Sequence, residues 1–215
     1  MQERCEANGV RGVLHWPDVR GGDAIALTHG AGSNAHAPLL VHLADAFAEA
    51  GCLVLRFDLP FRQQRPKGPP FPAAAAGDRQ GIERAVEAVR ALAGGRIFAG
   101  GHSYGGRQST MAAAERPGMA DGLLLLSYPL HPPNRPAQKR IAHFPQLRTP
   151  ALFVHGTADP FGSIEDLREA VALIPARTGV LAVEGAGHDL KRAAGLSGEI
   201  LTRLQALLSL PYPQG

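Results

Sequence analysis

A serine between glycines is where chemistry is most readily built in this chain: Gly101-His102-Ser103-Tyr104-Gly105-Gly106. The spacing is G-x-S-x-G. An apolar run over 96–100 precedes it, and a helical segment over 107–115 follows. A sharp strand-to-helix turn there would hold the serine backbone in a strained conformation, and the glycines at 101 and 105 would remove the clashes such a turn creates. The Ser103 oxygen would then stand at a helix N-terminus, where backbone N–H groups favour developing negative charge. A serine hydroxyl is a weak nucleophile and needs a base. Of the nine histidines, His188 stands out. It lies in Glu184-Gly185-Ala186-Gly187-His188-Asp189, directly after the last strand pattern, on a loop able to carry an imidazole over a sheet edge. His29 reads as a loop former, and His36 and His42 as a helix start and a helix surface. His102 reads as pointing away from the serine, and His15, His131, His143 and His155 have no partner pattern. No pair has the i, i+4 spacing of a helical metal site.

The orienting carboxylate should follow another strand end. Asp159 does so, in His155-Gly156-Thr157-Ala158-Asp159-Pro160 after the apolar run 151–155. It would accept the second imidazole N–H and stabilise the imidazolium. An aspartate before proline is also a common turn residue, so position has to decide. The preceding strand ends in Ser127-Tyr128-Pro129 with no carboxylate, Asp58 lies before the serine, and Asp189 is bonded next to the base.

Attack on a carbonyl creates an oxyanion that needs donors already in place. The backbone N–H of Tyr104 is one expected donor. The other should come from Leu27-Thr28-His29-Gly30-Ala31-Gly32, with Ala31 favoured and Gly32 as the alternative. These groups together predict acyl transfer to water through an acyl-Ser103 intermediate on a small-molecule ester, with no metal and no organic cofactor. Gly32, Phe61 and Arg62 are the expected substrate contacts. The basic segment Arg62, Arg65, Lys67 raises an anionic substrate as a hypothesis, against the plainer reading of a solvated loop. Two other classes compete. Gly30-Ala31-Gly32-Ser33-Asn34-Ala35 matches G-x-G-x-x-A with Asp58 ending the next strand, a dinucleotide-binding pattern. A catalytically silent interaction scaffold would keep the fold without the reaction.

The elements that must position these groups are legible as alternating patterns. Strands are expected at 10–16, 23–29, 51–57, 96–100, 122–127, 151–155 and 179–183. Runs such as Leu123-Leu124-Leu125-Leu126 are apolar throughout, as strands buried on both faces are. Helical stripes lie between them: Leu39, Leu43, Phe47; Ile82, Val86, Val89, Ala93; Ile164, Leu167, Val171, Ile174; and Leu201, Leu204, Leu208. Ser163 with Asp166 reads as a capping box. Strand–helix alternation predicts an α/β fold, a mainly parallel sheet of about seven strands with helices on both faces and the first strand or two antiparallel. Segments 60–77 and 131–150 read as irregular, and both fall at the C-terminal edge of the sheet, where open parallel sheets bind ligands. About twenty residues between strands at Ser127 and Ala151 leave little chain for a helical lid, so an open cleft is expected.

Composition bounds the rest. At 215 residues, 45% hydrophobic and 19% charged, the chain suits a single domain over 1–215. A net charge of +3 without a basic face argues against a nucleic-acid partner. No run reaches membrane-span length, and the first residues lack an apolar signal core, so cytoplasmic residence is the default expectation. Two cysteines support neither a disulfide framework nor a zinc site. Cys52 reads as a small buried hydrophobe.

Taken together, these residues resemble the α/β-hydrolase superfamily over nearly the whole chain, and the order Ser103, Asp159, His188 is the one that fold implies. Thr28-His29-Gly30-Ala31-Gly32, Arg56-Phe57-Asp58-Leu59-Pro60-Phe61-Arg62 and the stretch around Ser103 are similar to a small subgroup. It includes bacterial proteins related to the testis-expressed protein 30 and the hydrolase-like subunit of the NSL chromatin complex. Those relatives often have Lys and Met around the serine, where this chain has His102 and Tyr104. Dienelactone hydrolases are similar in size and lidless plan, but use a cysteine where this chain has Ser103.

Overall fold

A computed structural model describes residues 1–209. Eight strands form one sheet: β1 Gln2–Ala7, β2 Val10–His15, β3 Ala24–Thr28, β4 Leu53–Asp58, β5 Ile97–His102, β6 Gly122–Leu126, β7 Ala151–Gly156 and β8 Thr178–Val183. Their order across the sheet is β1-β2-β4-β3-β5-β6-β7-β8. β1 and β2 run antiparallel to their neighbours, and every pairing from β4 through β8 is parallel.

The sheet has one strand more than expected. β1 is polar and carries no fully buried residue, so hydrophobic pattern could not reveal it. Its turn chemistry could have done so. Asn8 and Gly9 join β1 to β2 with φ of 51° and 74°, and Ala7 pairs with Val10. Asn-Gly between strands is the usual signature of a two-residue hairpin with left-handed central residues.

Side chains alternate faces along each strand. Ala24, Ala26, Leu123 and Leu125 point into one apolar cluster, while Ile25, Leu27, Leu124 and Leu126 point into the other. The first face is covered by α3 Ala75–Arg90, α4 Tyr104–Glu115 and α5 Ile164–Val171, and the second by α1 Pro38–Glu49 and α6 Ser197–Ser209. The buried stripes are Ile82, Val86, Val89 on α3, Leu40, Leu43, Phe47 on α1 and Ile200, Leu201, Leu204 on α6. Ser163 caps α5 by accepting the Asp166 N–H at 3.0 Å. Cys52 is buried, and burial pushes its thiol up to about 12.

Segment 60–77, read as irregular, is largely helical. α2 Pro60–Gln64 and a 3₁₀ turn at Pro72–Ala74 occupy it, and α3 begins at Ala75. Proline is favoured in the first turn of a helix, where its missing N–H has no intrahelical acceptor to lose; read as a breaker, it hid both starts. Segment 131–150 holds only a 3₁₀ turn, Phe144–Gln146, and Phe144 and Leu147 are buried in the core. It contains no lid helix.

A polar clamp ties the start of the central strands to the last helix. Asp23 accepts from the Arg96 side chain at 2.7 Å, from the Arg96 N–H at 2.9 Å and from the Gln205 amide at 3.0 Å. Burial pushes the Asp23 carboxyl up, but these donors outweigh it and hold the group below its usual range. A carboxylate with a depressed folded-state pKa contributes stability that is present above the unfolded value and lost as pH falls through the folded one. Asp23→Ala should therefore cost about 1–3 kcal/mol at pH 7. The gap between variant and wild type should narrow in urea unfolding repeated at pH 3.

Candidate active site

β3, β5, β7 and β8 all end at one edge of the sheet, and the loops beyond them carry the candidate groups. β5 passes directly into α4 with Ser103 between them at φ 51° and ψ −113°, a backbone region that non-glycine residues rarely occupy. The helix starts at Tyr104, one residue after the serine and three earlier than expected. The glycines matter because the end of β3 lies against this turn. A Cβ at Gly101 would sit 2.4 Å from the Thr28 carbonyl oxygen, and one at Gly105 2.6 Å from that of His29. The clash they avoid is with the neighbouring strand end.

The structure brings Ser103, His188 and Asp159 into one chain of contacts. Ser103 Oγ lies 2.8 Å from His188 Nε2, and His188 Nδ1 lies 2.8 Å and 3.1 Å from the two Asp159 carboxylate oxygens. Asp159 has no side-chain exposure, whereas His188 keeps 23%. Burial alone would raise the Asp159 pKa. The hydrogen bond and charge of His188, the Phe161 N–H at 2.9 Å and nearby His155 reverse that, so the carboxyl is held below its ordinary range. His155 is buried with Nε2 on the Gly162 carbonyl, and burial lowers its pKa.

Several residues that hold this arrangement were not singled out from sequence. Phe161 stacks on the His188 ring, with centroids 4.1 Å apart. His102 does not turn idly away: its Nε2 donates to the His188 carbonyl at 2.7 Å, pinning the loop that carries the imidazole. Asp78 is fully buried and accepts the Tyr104 hydroxyl at 2.8 Å and the Phe61 N–H at 3.0 Å. Burial raises the pKa of both Asp78 and Tyr104. No local pattern marks these pairs, because each joins residues far apart in the chain.

Ser103 and His188 open into a cleft of about 790 Å³, lined also by Gly30, Ala31, Gly32 and Tyr104. The Tyr104 N–H belongs to the first turn of α4, where no intrahelical acceptor exists, and the Ala31 N–H meets no acceptor among the described residues. Phe61 and Arg62 lie elsewhere. Both are buried and absent from the cleft wall. Phe61 packs edge-on against His29 and Tyr104. Arg62 donates to the carbonyls of Ala31, Ser33, Arg65 and Gly68 at 2.7–3.0 Å. Its guanidinium fastens the Ala31 loop and has little left for a substrate. Arg62→Gln should therefore lower kcat about tenfold on acidic and neutral esters alike. A rise in KM confined to acidic esters would instead mean direct substrate contact.

The dinucleotide pattern does not meet its structural context. Asp58 accepts the Ala35 N–H at 2.7 Å, tying down the loop, and the next helix begins only at Pro38. The Gly30–Gly32 turn does not itself open a helix, as the dinucleotide pattern requires.

A family model described as an alpha/beta hydrolase domain matches residues 22–207. The chain belongs to the alpha/beta hydrolase family. Solved structures similar to this alpha/beta hydrolase include TT1662 from Thermus thermophilus, with a TM-score of 0.74, 21% identity and coverage of 98% of this chain and 99% of that one. A dienelactone hydrolase from Anabaena variabilis has a TM-score of 0.74, 18% identity and 99% coverage of each chain. Est1E from Butyrivibrio proteoclasticus has a TM-score of 0.75 at 16% identity, covering 97% of this chain and 99% of its own. At these identities the likeness is one of fold. Among the described residues of this alpha/beta hydrolase, no helix is long and apolar enough to cross a membrane.

Proposed function

We propose that this protein hydrolyses small esters or related acyl compounds through a covalent acyl-Ser103 intermediate. The observation that carries the reading is the unbroken contact chain from Ser103 Oγ through His188 to Asp159, both links at 2.8 Å. His188 Nε2 takes the serine proton as Oγ attacks the carbonyl carbon, and then delivers it to the leaving alcohol. Asp159 holds the imidazole with Nδ1 protonated and stabilises the imidazolium. The N–H groups of Tyr104 and Ala31 receive the charge that develops on the carbonyl oxygen. Water then attacks the acyl carbon as His188 removes its proton, and His188 returns that proton to Ser103 Oγ as the bond to the carboxylic acid breaks.

A silent scaffold would have no need of a strained serine, an imidazole in hydrogen-bond reach of it and a fully buried carboxylate behind them. Treatment with a fluorophosphonate, followed by peptide mass mapping, tests the mechanism. The expected adduct is on the peptide containing Ser103, and it is absent from Ser103→Ala. Failure to label, together with no turnover of p-nitrophenyl acetate above the buffer rate, would leave the scaffold reading in its place.

A further inference from the structure

Two arginines share the cleft with Ser103. Arg107 lies on α4, one turn beyond the serine, and its N–H donates to the Ser103 carbonyl at 2.9 Å. Arg140 lies in segment 131–150 and also lines the cleft. Its backbone is held at both ends: the N–H donates to the Leu130 carbonyl at 2.7 Å, and its own carbonyl accepts the Tyr128 hydroxyl at 2.7 Å. Tyr128 is itself fully buried between Phe144 and Phe153. The loop therefore presents Arg140 from a fixed base.

Neither guanidinium has an ion pair among the described residues, and Nε of Arg107 is buried with no hydrogen-bond partner at all. Burial and the neighbouring Arg107 charge together lower the Arg140 pKa. The same field acts on His143, whose Nε2 meets the Thr110 hydroxyl at 2.8 Å; burial, then Arg107 and Arg79, push its imidazole down to about 4. Among the described residues, no Asp or Glu lines the cleft. Asp78 is engaged beneath Tyr104, Asp159 by His188 and Glu115 by Arg79 at 2.7 Å. A pair of positive charges, partly desolvated and lining the same cleft as the serine, is an incomplete arrangement, because a buried donor without an acceptor carries a free-energy cost.

We infer that Arg107 and Arg140 form an anion subsite, so that the preferred acyl substrates carry a carboxylate or phosphate near the scissile bond. This rests on the hydrolase reading above and specifies its substrate class. Planar guanidinium groups suit both anions, because each offers paired N–H donors to two oxygens. The positive cleft also attracts such substrates before they bind.

Matched esters test it. On the leaving-group side, 4-acetoxybenzoate and 4-acetoxyphenyl phosphate are compared with methyl 4-acetoxybenzoate. On the acyl side, monomethyl glutarate is compared with methyl pentanoate. Wild type, Arg140→Gln and Arg107→Gln/Arg140→Gln are assayed, with thermal unfolding to verify that each variant is folded. The expected result is a higher kcat/KM for an anionic ester than for its neutral partner in wild type, on at least one side of the bond. That ratio should fall on the order of ten- to a hundredfold in the double variant, mainly through KM. Arg140→Gln, on a loop outside α4, should lower it part of the way. The carboxylate and phosphate members show which anion the pair takes. Cleavage of neutral esters at ratios of one or below, unmoved by either variant, overturns the subsite and leaves the hydrolase standing. Cleavage of none of the five removes the hydrolase reading, and the subsite with it.

Discussion

Ser103→Ala should lower kcat on p-nitrophenyl acetate by about a million-fold. The variant keeps the fold, since alanine differs only by the oxygen, yet it removes the atom 2.8 Å from His188 Nε2. What remains is a site with donors and an imidazole but no nucleophile, and residual acceleration of about a thousandfold over water is typical of such remnants. His188→Ala should cost about as much, because a serine without its base is nearly as inert. The double variant should be no worse than either single one, since residues acting as one unit do not contribute additively. Steady-state rates of the three proteins check this. Independent losses that multiply in the double variant would show that Ser103 and His188 do not act together.

Asp159→Asn should lower kcat by about ten-thousandfold while leaving KM little changed. The cause is the direction of one amide. Asp159 Oδ1 accepts the Phe161 N–H at 2.9 Å, and Oδ2 faces His188 Nδ1 at 2.8 Å. An asparagine must keep its carbonyl toward Phe161, which turns its NH₂ toward Nδ1. That nitrogen then has to accept, so the ring proton moves to Nε2, the position that must receive the serine proton. The side chain is fully enclosed, so neither group can rotate freely to escape the conflict. Rate measurements, with fluorophosphonate labelling as a second readout, test the claim. A loss of less than a hundredfold would show that the carboxylate neither selects the tautomer nor stabilises the charged ring.

Much of the architecture was legible because the signals are local. The runs that became β3 to β8 are mainly apolar, those of β3 and β6 being buried along their whole length, and Ser103, Asp159 and His188 each lie within a few residues of the end of one of these strands. In a parallel sheet such positions converge on one edge whatever the intervening sequence. Features set by contacts across the chain were not legible. His102 finds the His188 carbonyl 86 residues away, and Asp78 finds the Tyr104 hydroxyl 26 residues away. Arg62 looked like a substrate contact because it follows a strand in a loop near the cleft. Only the folded chain shows four carbonyls gathered around its guanidinium. The strand β1 escaped because it is exposed, although Asn8-Gly9 announced its turn.

The sheet ends in β8, which pairs with β7 alone, and the loop that follows it carries His188. His188 thus hangs from the margin of the sheet, while Ser103 and its helix are anchored at the centre. Domains open locally in sub-global steps, and segments with fewer packed neighbours open at lower cost. Opening of this border would carry the imidazole away from Ser103 while the interior stays packed.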